Sequence, residues 1–181
     1  MGYKKLYIQR YVRASEGSAS SVGDCYETKA QFGIYSTDFP FAVSGKKKEL
    51  YEQKWNDEPG CEVWVPPSGL LDDVFDIEVP FSFKTNLPYD GVAQDRVRHF
   101  IGILAGTEVV EGDSRPLAAY LPWLRLYDEK TGQGFMGVQY IGYSPDAYEV
   151  GDMAGGEVIT FKVKFRVYDP HLSWDGSPGN N

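Results

Sequence analysis

The stretch Val74-Phe75-Asp76-Ile77-Glu78-Val79-Pro80-Phe81-Ser82-Phe83 decides the fold class. Phe75, Ile77, Val79, Phe81 and Phe83 take every second position, with Asp76, Glu78, Pro80 and Ser82 between them. Successive side chains of a strand point to opposite sides of a sheet, so this pattern predicts one buried and one wet face. Pro80 has no N–H for a ladder, which predicts an edge position or a bulge there.

The same period recurs on both sides of that stretch. Ile159, Phe161, Val163, Phe165 and Val167 alternate with Thr160, Lys162, Lys164 and Arg166, a long strand with a basic outer face. Leu121 to Tyr127 and Phe135 to Tyr143 read as strands joined by a hairpin through Asp128-Glu129-Lys130-Thr131-Gly132-Gln133-Gly134. Lys4 to Val12 carries apolar bulk on both faces, which predicts cover on both sides. Tyr26 to Tyr35 alternates as a half-buried strand, and Glu62-Val63-Trp64-Val65 is a brief one stopped by Pro66-Pro67. Between these lie polar loops at 14–24, 36–60 and 144–157, with a short helical turn expected around 49–54. Residues 173–181 are expected to fray.

One segment changes period. Val97, Phe100, Ile101 and Leu104 follow the spacing i, i+3, i+4, i+7 of an amphipathic helix over 92–105, with Asp90 as N-cap and Gly106 as the stop. The expectation is therefore a mainly β chain: an antiparallel β-sandwich of about seven or eight strands with one flanking helix and long loops. Residues 1–170 form one domain and 171–181 a flexible tail.

Composition agrees with this. The 181 residues are 42% hydrophobic, 15% aromatic and 24% charged, with 20 Gly and 11 Pro. Aromatics favour strands, and Gly and Pro punctuate turns. A net charge of −8 excludes gripping nucleic acid by neutralising its phosphates. No apolar run approaches the ~20 residues that span a bilayer, and Met1-Gly2-Tyr3-Lys4-Lys5 opens no signal peptide. No membrane partner is expected, and Cys25 and Cys61 are expected as thiols in a reducing cytoplasm.

The residues offer little chemistry. His99 and His171 are the two histidines, and with two scattered cysteines no zinc-ligand spacing exists. Nucleophile-elbow, metalloprotease and phosphate-loop motifs are absent. Carboxylate pairs such as Asp76 and Glu78 read as solvated charge. No enzyme, cofactor or metal is expected. The aromatics Trp55, Trp64, Trp123 and Tyr127 are candidates for a subunit interface, because aromatic side chains bury large area at low entropic cost. A sugar-stacking platform is the alternative reading of the tryptophans.

Trp55-Asn56-Asp57-Glu58-Pro59-Gly60-Cys61-Glu62-Val63-Trp64-Val65-Pro66 resembles a segment of tail proteins from long-tailed bacteriophages and prophages. The alternating strand 75–83, the helix 92–105, Arg125-Leu126-Tyr127-Asp128, the strand 135–143 and the closing Val167-Tyr168-Asp169-Pro170 follow it in order. That order is similar to the ring-forming N-terminal domain of distal tail proteins, and it is compatible with the related tail-tube sandwich. A Gly-x-x-Gly turn expected near residue 45 is present only as Ser44-Gly45-Lys46. The chain also stops after the closing strand, where many distal tail proteins continue into a sugar-binding-like domain. The resemblance implies a homo-oligomeric ring, a hexamer, in the virion tail, assembled in the bacterial host cytoplasm. It would join the tail tube to the baseplate or tip, with tube, tape-measure and hub proteins as partners. A tail-tube or tail-terminator subunit is the close alternative. A carbohydrate-binding sandwich is the alternative from another class. A channel for DNA should not adhere to it, so Asp72, Asp73, Asp76 and Glu78 are candidates for an acidic lumen.

Overall fold

The computed structural model describes residues 5–12, 22–40, 47–53, 62–65, 67, 72–86, 91–112, 122–150 and 156–177. The chain is mainly β. The elements in order are β1 (Leu6–Tyr11), β2 (Val22–Glu27), α1 (Thr28–Phe32), β3 (Ile34–Ser36), β4 (Tyr51–Gln53), β5 (Glu62–Trp64), β6 (Phe75–Thr85), α2 (Val92–Ala105), β7 (Trp123–Asp128), β8 (Gln133–Val150) and β9 (Glu157–Asp169). Seven strands form one antiparallel sheet in the order β2-β1-β7-β8-β9-β6-β3, and β4 pairs with β5 as a separate ribbon.

That sheet is rolled, and the connectivity shows why. Its two edge strands, β2 and β3, are joined by α1 and Gly33 alone. Laid flat, seven strands would be about 29 Å across, whereas five helical residues advance about 7.5 Å. The edges must therefore curl towards each other. The layered core expected of a sandwich is made by one rolled sheet, not by two separate ones.

The interior belongs to the residues the alternation picks out. Ile77, Val79, Phe81 and Phe83 of β6 and Phe161, Val163, Phe165 and Val167 of β9 are buried, as are Leu6, Ile8, Leu124, Leu126 and Val138. Phe100 of α2 is wholly buried, with ring centroids 5.2 Å from Phe32, 5.3 Å from Phe81 and 6.3 Å from Phe161. α2 thus packs on the inner face of the roll and on α1. Its end is set by Gly106, whose φ of 76° lets its N–H turn back to Ile103 O. Arg10, 8% exposed, completes that end by donating to the carbonyls of Ile103 and Leu104. The α2 boundaries are those the periodicity predicts. Its N-cap is Gly91, and Asp90 lies outside the described residues.

Four expectations are corrected. Residues 28–32 are helical, not a continuation of a strand: Thr28 and Phe32 are buried while Ala30 is exposed, the i, i+4 spacing of a helix. Residues 51–53 are strand β4 instead of a helical turn. Ser144-Pro145-Asp146 lie within β8 and not in a loop, because β9 pairs with it as far as Val150. The chain after Asp169 packs back as far as Ser177. Trp174 is 4% exposed beside Tyr127, and the Arg125 guanidinium lies 4.9 Å from its ring. This segment covers the outer face of β1 and β7, where Gln9 accepts from Arg125 at 2.9 Å, so β1 is covered on both sides. Pro80 meets its expectation: β3 pairs with 81–83 only, so at Pro80 β6 is already an edge, and its carbonyl accepts from Thr37 N–H.

Candidate functional site

β8 is longer than the strand beside it. Over 133–138 it pairs with β7 on one side, and from Met136 it pairs with β9 on the other. At the boundary, Leu124 and Leu126 pair with Val138 and Phe135, and the extra residues bulge. Gly137 occupies that bulge with φ 61° and donates its N–H to Tyr11 Oη at 2.7 Å. From Gln139 onward β8 keeps only β9, so among the described residues its other edge has no strand partner. Further register shifts at 140/142 and 145/147 break that edge's regularity, and Pro145 removes one N–H from it.

Register decides what the unpaired half displays. Tyr143, Pro145 and Tyr148 pair with Val163, Phe161 and Ile159, which lie on the inner face. They therefore point to the side that α2 covers. α2 reaches only part of the way over them. Between its N-terminal half and the β8–β9 hairpin a groove of about 380 Å³ remains. Val97, Ile101 and Phe161 form its apolar floor, Tyr143 and Tyr148 line one wall, and Arg98 and Gln94 line the helix side. Tyr143 is 51% and Tyr148 48% exposed. Among the described residues the one acid in the lining is Asp146.

The groove is mainly apolar and aromatic in its lining. Among the described residues no three His, Cys, Asp or Glu side chains converge as metal ligands would. An acid–base couple, His99 Nδ1 and Glu108 Oε2 at 2.5 Å, does not line the groove, and Phe32 lies edge-on to the imidazole. Cys25 is half-buried and burial pushes its thiol up to about 11, which keeps it neutral and poorly nucleophilic at ordinary pH. Cys61 lies outside the described residues. No helix among the described residues is long and apolar enough to cross a membrane.

The residues singled out from sequence fall in three places. Trp64 stands on β5 at 61% exposure between Val63 at 43% and Val65 at 53%. Trp123 and Tyr127 sit half-buried on β7, Trp123 edge-on to Tyr168 at 5.6 Å and Tyr127 against Tyr7 and Trp174 at 6.3 Å each. Trp55 lies outside the described residues. The four acids gather near β6, but three have bases beside them. Asp76 holds Arg166 through two bonds of 2.7 and 3.0 Å, Glu78 lies 3.4 Å from Lys162, and Asp72 lies 2.5 Å from Lys47. Asp73 accepts from Val74 N–H at 2.9 Å. Sequence reading did not find Tyr143, Tyr148 and Arg98 as a set. The signal was present: β9 alternates back to Ile159, and a buried face that long needs a partner of equal length.

No protein-family model matches this chain, and no curated protein matches it.

Proposed function

We propose that this chain is a non-enzymatic structural subunit that assembles with copies of itself, of the phage or prophage tail type. On this reading it is a distal-tail ring subunit joining tube to baseplate, or its close variant, a tube or terminator subunit. The observation that carries the proposal is the outer half of β8, one edge of which has no strand partner among the described residues, beside exposed Tyr143 and Tyr148. Open edges present N–H and C=O groups that a neighbouring chain can pair, and aromatic patches of this kind serve subunit contacts. The ion pairs along β6 and β9 balance the charge of that face locally. Any repulsion of DNA in a channel would therefore rest on the net charge of −8 over the whole chain.

Two exposed tyrosines on one face also favour a second reading, a carbohydrate-binding module. Light scattering after size exclusion, with electron microscopy of the same peak, separates the two. The structural reading expects one closed species of several subunits with a central opening. A monomer at every concentration that binds a glycan array would replace it with the second.

A further inference from the structure

The segment that packs back after β9 is a hook braced from within. Asp175 Oδ1 accepts from Ser177 N–H at 3.0 Å and from Ser177 Oγ at 2.5 Å, and Trp174 Nε1 donates to Ser177 O at 3.0 Å. Leu172 N–H closes a turn onto Asp169 O at 3.0 Å. Among the described residues these are the hydrogen bonds of 170–177, and none crosses to the sheet beneath. What holds the hook is fit. Gly134 of β8 has no side chain where the Trp174 carbonyl rests, and a Cβ there would collide with that carbonyl. Gly176 has a φ of 78°, and a Cβ on it would collide with the Tyr127 ring. Two glycines, one in the hook and one in its cradle, shape the pair for each other.

The seat is incompletely satisfied. Arg125, buried under Trp174, donates through Nε to Gln9, while its Nη2 is buried with no acceptor. The rings of Tyr11 and Trp174, at 5.5 and 4.9 Å, face the guanidinium where water would otherwise bond to it. A buried donor with no acceptor opposes closure. The connection, His171, Leu172 and Ser173, is exposed. A self-braced unit with no backbone bond to its seat opens at lower cost than the paired strands do.

We infer that the hook of one copy seats in the cradle of another, so that residues 170–177 are an exchangeable link between subunits. The occupant is the one the structure shows in place. Its contacts are the same whether hook and cradle belong to one chain or to two, which is the basis of exchange between identical chains. Exchange gives up only the advantage of the tether, an effective concentration on the order of millimolar. That advantage disappears when neighbours are held side by side. The hook leaves from the end of β9 and the cradle lies on the outer face of β1, β7 and the start of β8, so the contact is head to tail. It uses neither Tyr143 nor Tyr148, and it stands apart from the β8 edge that carries the structural-subunit proposal.

Two full-length variants test it. Trp174→Ala keeps the cradle and loses the hook's anchor. Gly134→Ala, made with heavy nitrogen, keeps the hook and loses the cradle, and the atoms nearest its added Cβ all belong to Trp174, so the body is undisturbed. Circular dichroism with a thermal melt checks that both fold, and Gly176→Ala replaces Trp174→Ala should that variant melt early. Native mass spectrometry of a one-to-one mixture should show mixed dimers in excess of random pairing, because only the hook of one variant can fill the cradle of the other. A fluorescent synthetic peptide of residues 168–177 gives a second readout. By anisotropy it should bind Trp174→Ala on the order of tenfold more tightly than wild type, whose tethered hook competes, or than the double variant with Gly134→Ala. Monomers alone, a random share of mixed dimers, or a peptide that does not separate the variants overturns the link and leaves the structural-subunit proposal standing. Excess mixed dimers beside a wild type that is monomeric at every concentration would support the link and overturn that proposal.

Discussion

The two halves of β8 belong to one strand and one hairpin, yet they are built for different surroundings. Between Gln133 and Val138 the strand pairs with β7 and, from Met136, with β9 as well; Phe135 and Val138 are buried, with Phe135 set between Phe39 and Phe75 at 5.9 and 5.8 Å. From Gln139 to Val150 its one strand neighbour among the described residues is β9, and beyond Tyr140 the inner-face positions include Tyr143, Pro145 and Tyr148. The change from phenylalanine and valine to tyrosine follows the change in cover. A tyrosine ring can be buried against a partner, and its hydroxyl tolerates water until that partner arrives. The comparison teaches that the loss of a strand neighbour and the loss of side-chain burial go together along one strand, and that the change comes at the Gly137 bulge.

The comparison breaks if the two halves respond alike to truncation. Phe135→Ala should destabilise the fold by about 3–5 kcal/mol, because it opens a cavity between two rings that cannot collapse onto it. A denaturant titration reads this directly. The next effect concerns α2, whose N-terminal half flanks the groove and whose C-terminal end is held by Arg10 of β1. Arg10→Leu removes the donors to the Ile103 and Leu104 carbonyls and leaves buried acceptors unmet, at about 1–3 kcal/mol. Burial already lowers the Arg10 guanidinium to about 10, so it remains charged at neutral pH and its removal is not silent. Tyr148→Ala, in contrast, should stay within about 0.5 kcal/mol of wild type in the isolated chain. If it costs as much as Phe135→Ala, the outer half is part of the core and the groove is no docking surface.

The same comparison marks what the sequence could tell. The long alternations of β6 and β9 and the stripe of α2 could be read because each repeats one period over ten or more residues, with nothing competing. α1 could not, since Thr28, Ala30 and Phe32 satisfy a period of two as well as Thr28 and Phe32 satisfy i, i+4. Gly33 at its C-terminus, with φ 71°, was the one local sign of a helix. The outer half of β8 was hidden by Ser144-Pro145-Asp146, whose local preference is a turn. Pairing with β9 overrides that preference, with a register shift at 145/147 absorbing the misfit. The packed C-terminal segment was hidden because its anchor is a single tryptophan in polar surroundings. A lone Trp174 shows no periodicity, and its partner Arg125 is 49 positions earlier in the chain. The groove joins α2 to the β8–β9 hairpin, which lies beyond β7 in the chain, and no spacing rule reaches that far.

The smallest expected effect lies on the outer face of the same ladder and sharpens the contrast with its inner face. Asp76 and Arg166 face each other across β6 and β9, and both side chains are more than a third exposed. The two hydrogen bonds from Arg166 hold the Asp76 carboxyl below the usual carboxylate range, and Asp76 in turn holds Arg166 in its charged form. A carboxyl whose folded value is lower than its unfolded value of about 3.9 favours the fold while it is ionised in both states. That contribution is whole above about pH 5. It shrinks as the pH falls past 4 and is lost once the folded carboxyl protonates as well. Stability of wild type minus Asp76→Asn, measured by chemical denaturation from pH 7 to pH 3, should therefore be small, flat down to about pH 5, and fall towards zero below it. Added salt should reduce the plateau, since exposed pairs are screened. A difference that grew on acidification would mean that Asp76 is stabilised in its protonated form, and the outer face would then be a second buried surface like the inner one.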